Sequence, residues 1–315
     1  MFFAVLNFFH FHQKAPWRFL MLAIALFNAG GASFAQSSSV RANESGRTAL
    51  LEKYTSLTQQ LAQNTYRRPI VFESEETRNA LSSSVYAVLD SPFSAVSTTF
   101  QKPELWCEVL ILHLNTKHCK ATSDAAGSGK VSVNIGKKVP QKLSDTFLLE
   151  FSHRLKTNDA SFLAVDLLAD NGPLNTTDYR LQLFATPLAD GKTFINLRYS
   201  YSFGLTGRMA MQAYLSTVGR GKVGFTKITT DEKTDYTKGM LGAVERNTMR
   251  YYLAMEAYLV SLKHKPADQP AIRMRHWFDA TEEYSLQLHE LDRSSYLAMK
   301  IDEYQRQQLS AKLVR

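Results

Sequence analysis

Between Val131 and Phe203, apolar side chains recur at every second position in five successive runs. The runs are Val131/Val133/Ile135, Phe147/Leu149/Phe151/His153/Leu155, Leu163/Val165/Leu167, Tyr179/Leu181/Leu183/Ala185 and Ile195/Leu197/Tyr199/Tyr201/Phe203. Strict alternation puts all of these on one face of a strand. The intervening positions are mixed and include Glu150, Ser152, Arg154, Asp166, Arg180, Gln182, Asn196, Arg198, Ser200 and Ser202. Turn residues separate the runs at Asn158-Asp159, Asp170-Asn171-Gly172-Pro173 and Ala189-Asp190-Gly191. The chain therefore predicts an antiparallel sheet with one dry face and one wetter face. A dry face needs a cover.

The stretch Lys238–Lys263 supplies one. Leu241, Val244, Thr248, Tyr251, Tyr252, Met255, Leu259 and Leu262 recur at helical spacing and form one apolar stripe. Glu245, Arg246, Arg250, Glu256 and Lys263 fall largely off it. Gly239 and Gly242 sit near the start of this helix, and Pro266–Pro270 comes after its end.

Upstream, Thr48–Asn64 reads as a short amphipathic helix carrying Leu50, Leu51, Tyr54, Leu57 and Leu61. Ile70–Glu75 and Ser83–Leu89 read as strands. Asp90-Ser91-Pro92 is a helix-start signal, with Phe93, Val96 and Phe100 on the helix after it. Pro103 starts a second helix carrying Leu105, Trp106 and Val109. Arg208–Val218 is a further helix and Val223–Ile228 a short strand. Ala271–Leu291 and Ser294–Leu313 predict two tail helices, joined through a Lys263–Pro270 segment of linker composition.

The first 35 residues predict an export signal. His12, Lys14 and Arg18 precede the apolar run Phe19–Phe27, and small residues stand at Ser33 and Ala35, placing cleavage after Ala35. An uncleaved anchor and a later start at Met21 are the alternatives. Gln36–Ser45 is polar and Ser-rich and reads as a flexible lead-in. An exported chain with two cysteines, Cys107 and Cys119, predicts one disulfide, with two buried thiols as the alternative. The formal net charge is +8 with no dense Lys/Arg run, which gives no specific support for nucleic-acid binding.

The stretches VYAVLDSPFSAVSTTF (Val85–Phe100) and GAVERNTMRYYLAMEAYL (Gly242–Leu259), with the sheet between them, resemble the START-like (SRPBCC, helix-grip) superfamily. The resemblance covers roughly Ile70–Lys263. It implies an α+β fold in which a curved antiparallel sheet grips the long helix, with an apolar cavity between them. It implies the binding of lipids or other hydrophobic small molecules, and in some members enzymatic chemistry. The implied division is a signal peptide at 1–35, a linker and helix at 36–66, the helix-grip domain at 67–263 and a helical extension at 264–315. The Arg208–Ile228 excursion and the tail depart from the simple pattern.

Motif chemistry is sparse. Gly219-Arg220-Gly221-Lys222-Val223-Gly224 matches GxGxxG, but it lacks the strand before and helix after that a nucleotide fingerprint needs, so a turn is expected. Gly127-Ser128-Gly129-Lys130 lacks both the leading Gly and the Ser/Thr of a phosphate loop. His153 lies on the dry face and is either a bonded core histidine or a polar handle or base. Tyr199, Tyr201 and Tyr251 need partners for their hydroxyls, from protein or from ligand. Arg246 and Arg250, four apart, either pair with carboxylates such as Glu245, Glu256 or Asp166 or clamp a ligand anion. Arg198 is a weaker candidate on the wetter face, and the stripe Met209, Met211, Tyr214 and Leu215 reads as core.

The expected function is non-catalytic binding of a hydrophobic or amphipathic molecule by a periplasmic or secreted protein. His153, Tyr199, Tyr201, Arg246, Arg250 and Tyr251 are the candidate ligand-binding residues. No cofactor or metal is expected, and the tail is a possible contact for an envelope membrane or protein partner. The alternatives are an enzyme acting on such a ligand and an envelope interaction protein with a filled cavity.

Overall fold

The computed structural model describes residues 31–124, 128–217, 219–229 and 234–312. The apolar run of the expected leader and Gly127 of the second glycine motif lie outside them. Asn43–Arg315 forms the larger of two compact units. The first helix, α1 (Gly31–Ala62), runs through the stretch read as a flexible lead-in, where no proline or glycine breaks it. The larger unit, from Asn43 onward, holds the rest of α1 and every later element.

The predicted strands up to Phe203 fall into one eight-stranded, fully antiparallel sheet, whereas of the predicted strand Val223–Ile228 only the last two residues are extended, in a separate two-stranded ribbon. Its strands are β1 (Ile70–Glu76), β2 (Ala80–Leu89), β3 (Thr116–Ser123), β4 (Gly129–Ile135), β5 (Phe147–Asn158), β6 (Leu163–Asn171), β7 (Thr176–Pro187) and β8 (Thr193–Phe203). The order is β1-β2-β8-β7-β6-β5-β4-β3. Two short helices, α2 (Phe93–Phe100) and α3 (Pro103–Leu110), fill the crossover from β2 to β3. After β8 come α4 (Leu205–Thr217), a β9–β10 ribbon (Lys227–Thr229, Thr234–Tyr236) and the long helix α5 (Gly239–Ser261). The α+β helix-grip architecture expected from the sequence is the one observed: α5 lies across the dry face, and its Val244, Leu253 and Met255 share one buried cluster with Val85, Leu183 and Leu197.

The other face is not simply wet. Leu50, Leu57 and Leu61 of α1 pack there against Val71, Phe162, Ala164 and Phe194. Period-two reasoning assigns faces but cannot say that a distant helix will dock on the second one.

The tail differs more. It forms α6 (Gln269–Glu282), α7 (Ser285–Leu288) and α8 (Arg293–Lys312). Tyr284, with non-helical backbone angles, divides the single helix predicted over 271–291. Met274, Trp277, Phe278, Leu288, Tyr296 and Met299 belong to the same buried cluster as the sheet. Trp277 Nε1 donates to the Arg250 carbonyl at 3.1 Å, and the Tyr296 hydroxyl donates to the Leu112 carbonyl at 3.0 Å. The linker-like Lys263–Pro270 segment is therefore a short helix–helix connection inside one core, not the boundary of a separable extension.

The tail also explains a second difference. Glu245, Arg246 and Arg250 lie off the apolar stripe of α5, yet all three are buried. The tail and the 219–228 loop close over that side of the helix, so its charges must find partners.

Cys107 of α3 and Cys119 of β3 are bonded to one another, with a Cα–Cα distance of 5.2 Å. The bond closes a loop of 12 residues between a helix and an edge strand. Cys119→Ser should cost about 2–4 kcal/mol, read as a lower urea midpoint. An unchanged midpoint would show that packing alone holds α3 to β3.

Candidate functional site

α5 opens at Gly239, whose φ of +61° a side chain would strain. Its first turns are held by Glu245. One oxygen of this buried carboxylate accepts from Phe225 N at 2.6 Å, Thr226 N at 3.0 Å and Thr237 Oγ1 at 2.5 Å. The other accepts from Ser74 Oγ at 2.5 Å. The loop can come this close because Gly224 has no side chain: a Cβ there would lie 2.2 Å from Glu245 and 2.9 Å from the Gly242 Cα. Within the GxGxxG match, Gly224 serves close packing and Gly221 a turn with φ +80°, as expected of a non-nucleotide loop.

One and a half turns further along α5, four tyrosines converge between sheet and helix. Alternation on β8 places Tyr199 and Tyr201 on the dry face, and a register irregularity in β7 between Thr177 and Arg180 sets Tyr179 beside them. Tyr179 stacks on Tyr201 at 5.1 Å, Tyr199 lies 5.7 Å from Tyr201, and Tyr251 of α5 meets Tyr199 edge-on at 5.4 Å. The Tyr179 hydroxyl bonds Thr176 Oγ1 at 2.7 Å. The hydroxyls of Tyr199, Tyr201 and Tyr251 have no hydrogen-bond partner among the described residues. Tyr251 is enclosed by protein, yet keeps a partly accessible surface. Burial raises the Tyr199, Tyr201 and Tyr251 hydroxyls well above the ordinary range, so all three stay protonated near neutrality.

His113 stacks on Tyr251 at 5.0 Å. It stands between α3 and β3, and its Nδ1 accepts from Asn115 N at 3.1 Å. Burial, reinforced by Arg250, Lys300 and Lys138, pushes its pKa well below the ordinary value, so it is neutral. A neutral ring that accepts at Nδ1 carries its proton on Nε2.

Beyond His113 the charges gather. Arg250 Nη2 donates to Glu290 at 2.9 Å, and Lys138 Nζ reaches the same Glu290 oxygen at 2.5 Å. Lys222 also lies close enough to hold Glu290 ionised. Burial, then Arg250, pushes Lys138 down to about 8 despite its contact with Glu290. Arg246 Nη1 donates to the Val223 carbonyl at 3.1 Å.

The structure thus brings Tyr199, Tyr201 and Tyr251 together, with Arg250 the residue before Tyr251 on α5. It does not bring His153 to them. The register runs Tyr199–Leu181–Leu167–His153, three strand spacings, or about 14 Å. His153 packs instead beside α2, its Nε2 3.5 Å from the Phe100 carbonyl. Among the described residues, the carboxylate that pairs with Arg250 is Glu290 rather than Glu245, Glu256 or Asp166; Glu256 pairs with Arg68 and Asp166 with Lys156. Arg198 lines an open cleft of about 460 Å³ on the outer face of the sheet, with Ser82, Arg180, Gln182 and Ser200. Met209 is exposed, whereas Met211 and Leu215 of α4 pack partly against the core.

Sequence reasoning missed His113, Lys138 and Glu290. His113 is a lone polar residue in the apolar run Ile111–Leu114, a local signal that could have been noticed. Lys138 and Glu290 lie in connections distant in sequence, and nothing local marks either.

No family model matches the chain, and no curated protein matches it. Solved structures do. A truncated norcoclaurine synthase from Thalictrum flavum is 14% identical, over 61% of this chain and 99% of that one, at a TM-score of 0.34. The human StarD13 lipid transfer and protein localization domain is 10% identical, over 50% and 88%, at 0.31. Human StAR-related lipid transfer protein 5 is 11% identical, over 54% and 84%, at 0.28. On its own topology this chain is an antiparallel sheet gripping a long helix, the helix-grip arrangement. Likeness at these identities concerns architecture, and the chemistry of this chain has to be read from its own side chains.

Proposed function

We propose that this is an exported protein that binds a hydrophobic or amphipathic, lipid-like molecule between the sheet and α5, without transforming it. The observation that supports this most directly is the meeting of Tyr199, Tyr201 and Tyr251 between the sheet and α5, where their hydroxyls keep some accessible surface and have no protein partner among the described residues. A ligand with an apolar body and a few polar atoms would satisfy them. Binding fits better than proton transfer, because the tyrosines titrate far above neutrality and His113 far below it. The Cys107–Cys119 disulfide is in keeping with an oxidising compartment, and among the described residues no helix is long and apolar enough to cross a membrane.

Tyr201→Trp tests the reading. Wild type should bind a fluorescent fatty-acid probe. The variant should bind it about tenfold more weakly, a change of ~1.4 kcal/mol, with its melting temperature nearly unchanged. If the space is filled core, the wild type binds no probe and the same overpacking lowers stability by about 1–3 kcal/mol.

A further inference from the structure

We propose that the open cleft on the outer face of the sheet binds a short peptide with free ends, its carboxylate on Arg198 and its ammonium on Glu75. This site lies on the opposite face of the sheet from the grip and does not depend on the function proposed above.

The cleft is made by side-chain length. β2 and β8 place Ser82, Ser200 and Ser202 on this face, and the flanking strands β1 and β7 place Glu75 and Arg180 beside them in register. Short side chains in the middle and long ones at the sides leave a hollow of about 460 Å³. α1 docks elsewhere on this face, on Val71, Phe162, Ala164 and Phe194, and none of its described residues lines the hollow. Paired strands hold these positions, so the site is organised before a ligand arrives.

Charge decides the class of ligand. Around the cleft most charged side chains pair locally: Lys53 with Glu73, Arg180 with Asp178, Lys156 with Asp166 and Arg208 with Glu76. Glu75 and Arg198 line the cleft and have no ion pair or hydrogen bond among the described residues. Glu75 stands opposite Ser82, Ser82 opposite Ser200, and Arg198 two residues before Ser200. The Cα atoms of Glu75 and Arg198 are therefore about 12 Å apart, with the serines between them. A simple anion on Arg198 would leave Glu75 unpaired, and a simple cation on Glu75 would leave Arg198 unpaired. A molecule with an ammonium at one end and a carboxylate at the other matches both.

The space between the charges fits a peptide. An extended chain advances about 3.3–3.6 Å per residue, so two or three residues bridge the two side chains. The hydroxyls of Ser82, Ser200 and Ser202 are half-buried and without partners among the described residues. Each can donate and accept, as peptide N–H and C=O groups require. Gln182 Nε2 donates to Asp166 at 2.9 Å, which leaves its oxygen as a further acceptor. Phe184, stacked on Phe162, gives the cleft one apolar wall for a side chain. A sugar would use the hydroxyls but not the opposite charges.

The test is calorimetric titration of the full chain with the tripeptide Gly-Ala-Phe in four forms: free, N-acetylated, C-amidated and capped at both ends. The free tripeptide should bind, and each cap should weaken binding about fivefold. Arg198→Gln should abolish the effect of amidation and keep that of acetylation; Glu75→Gln should do the reverse. Both side chains are exposed, so both variants should melt as wild type does. Equal affinity for all four forms overturns the assignment of the ends. Maltotriose binding as tightly as the free tripeptide overturns the peptide in favour of a polyhydroxyl ligand. Saturating dodecanoate should leave peptide binding unchanged, and displacement would move the peptide into the grip and overturn the cleft. No binding of any form overturns the proposal and leaves the grip untouched.

Discussion

A chain ending at Lys265 should not fold. The composition of Lys263–Pro270 suggests a linker, and a linker would make everything after it dispensable. The structure gives the opposite expectation. Removing the tail strips Met274, Trp277, Phe278, Leu288, Tyr296 and Met299 from the common core. Each large apolar side chain contributes about 1.5–3 kcal/mol when buried, so the six together reach or exceed the ~5–15 kcal/mol by which domains are stable. Truncation also uncovers β3, which is an edge strand. At that edge Gln307 Oε1 accepts from Cys119 N at 3.0 Å, Arg306 donates to the Lys117 carbonyl at 3.1 Å, and Lys300 donates to the Thr116 carbonyl at 2.8 Å. α8 thus satisfies the backbone groups that would otherwise recruit another strand. The expected outcome is aggregated protein without a cooperative melt by circular dichroism. A soluble truncated chain that keeps its sheet signal and melts cooperatively would restore the separable tail.

That reversal shows what the sequence carried and what it did not. The sheet was legible because alternation marks a face: Phe151 and Leu197 alternate with polar residues, and both are buried. The start of α2 was legible because Asp90-Ser91-Pro92 is a local signal, and the helix begins at Phe93. α5 was legible from its stripe, but its surroundings were not. A helix pattern shows one apolar face, and the burial of Arg246 and Arg250 on the other depends on segments dozens of residues away. Within the candidate site, Tyr199 and Tyr201 follow from alternation alone. Tyr251 follows from the helix repeat. His113, Lys138 and Glu290 come from connections, where no period constrains which side chain meets which. Among the residues that pattern alone singles out, His153 fails for a related reason: alternation gives the face but not the strand order, and the order sets it three strands away from Tyr199.

Glu303→Gln should be among the most destabilising single substitutions in this protein, at about 3–5 kcal/mol near pH 7. Two lysines without exposed surface, Lys117 and Lys300, meet this one carboxylate, at 3.0 and 2.7 Å. Their remaining protons go to acceptors: Lys117 to the Leu114 carbonyl at 2.9 Å, Lys300 to the His113 and Thr116 carbonyls at 2.7 and 2.8 Å. The amide keeps the shape and removes the charge, leaving two buried ammonium groups with carbonyl dipoles alone. The pH dependence comes from the same geometry. Burial pushes Lys300 from its ordinary 10.5 to about 8, and Lys138 likewise. Between about 8 and 10.5 the unfolded chain holds protons that the native state has released, so these groups make stability rise with pH over that window. The buried tyrosines act in the opposite sense above 10. Raised above their ordinary 10.0, they keep protons that the unfolded chain loses, and stability falls there. Wild type should therefore gain from pH 8 towards 10 and lose beyond it. In Glu303→Gln the lysines release their protons at lower pH, so the deficit against wild type should shrink between pH 7 and pH 10. Urea midpoints measured across that range decide it. A deficit that stays constant with pH would mean that the lysines remain charged in the variant, stabilised by the carbonyl cage rather than by Glu303.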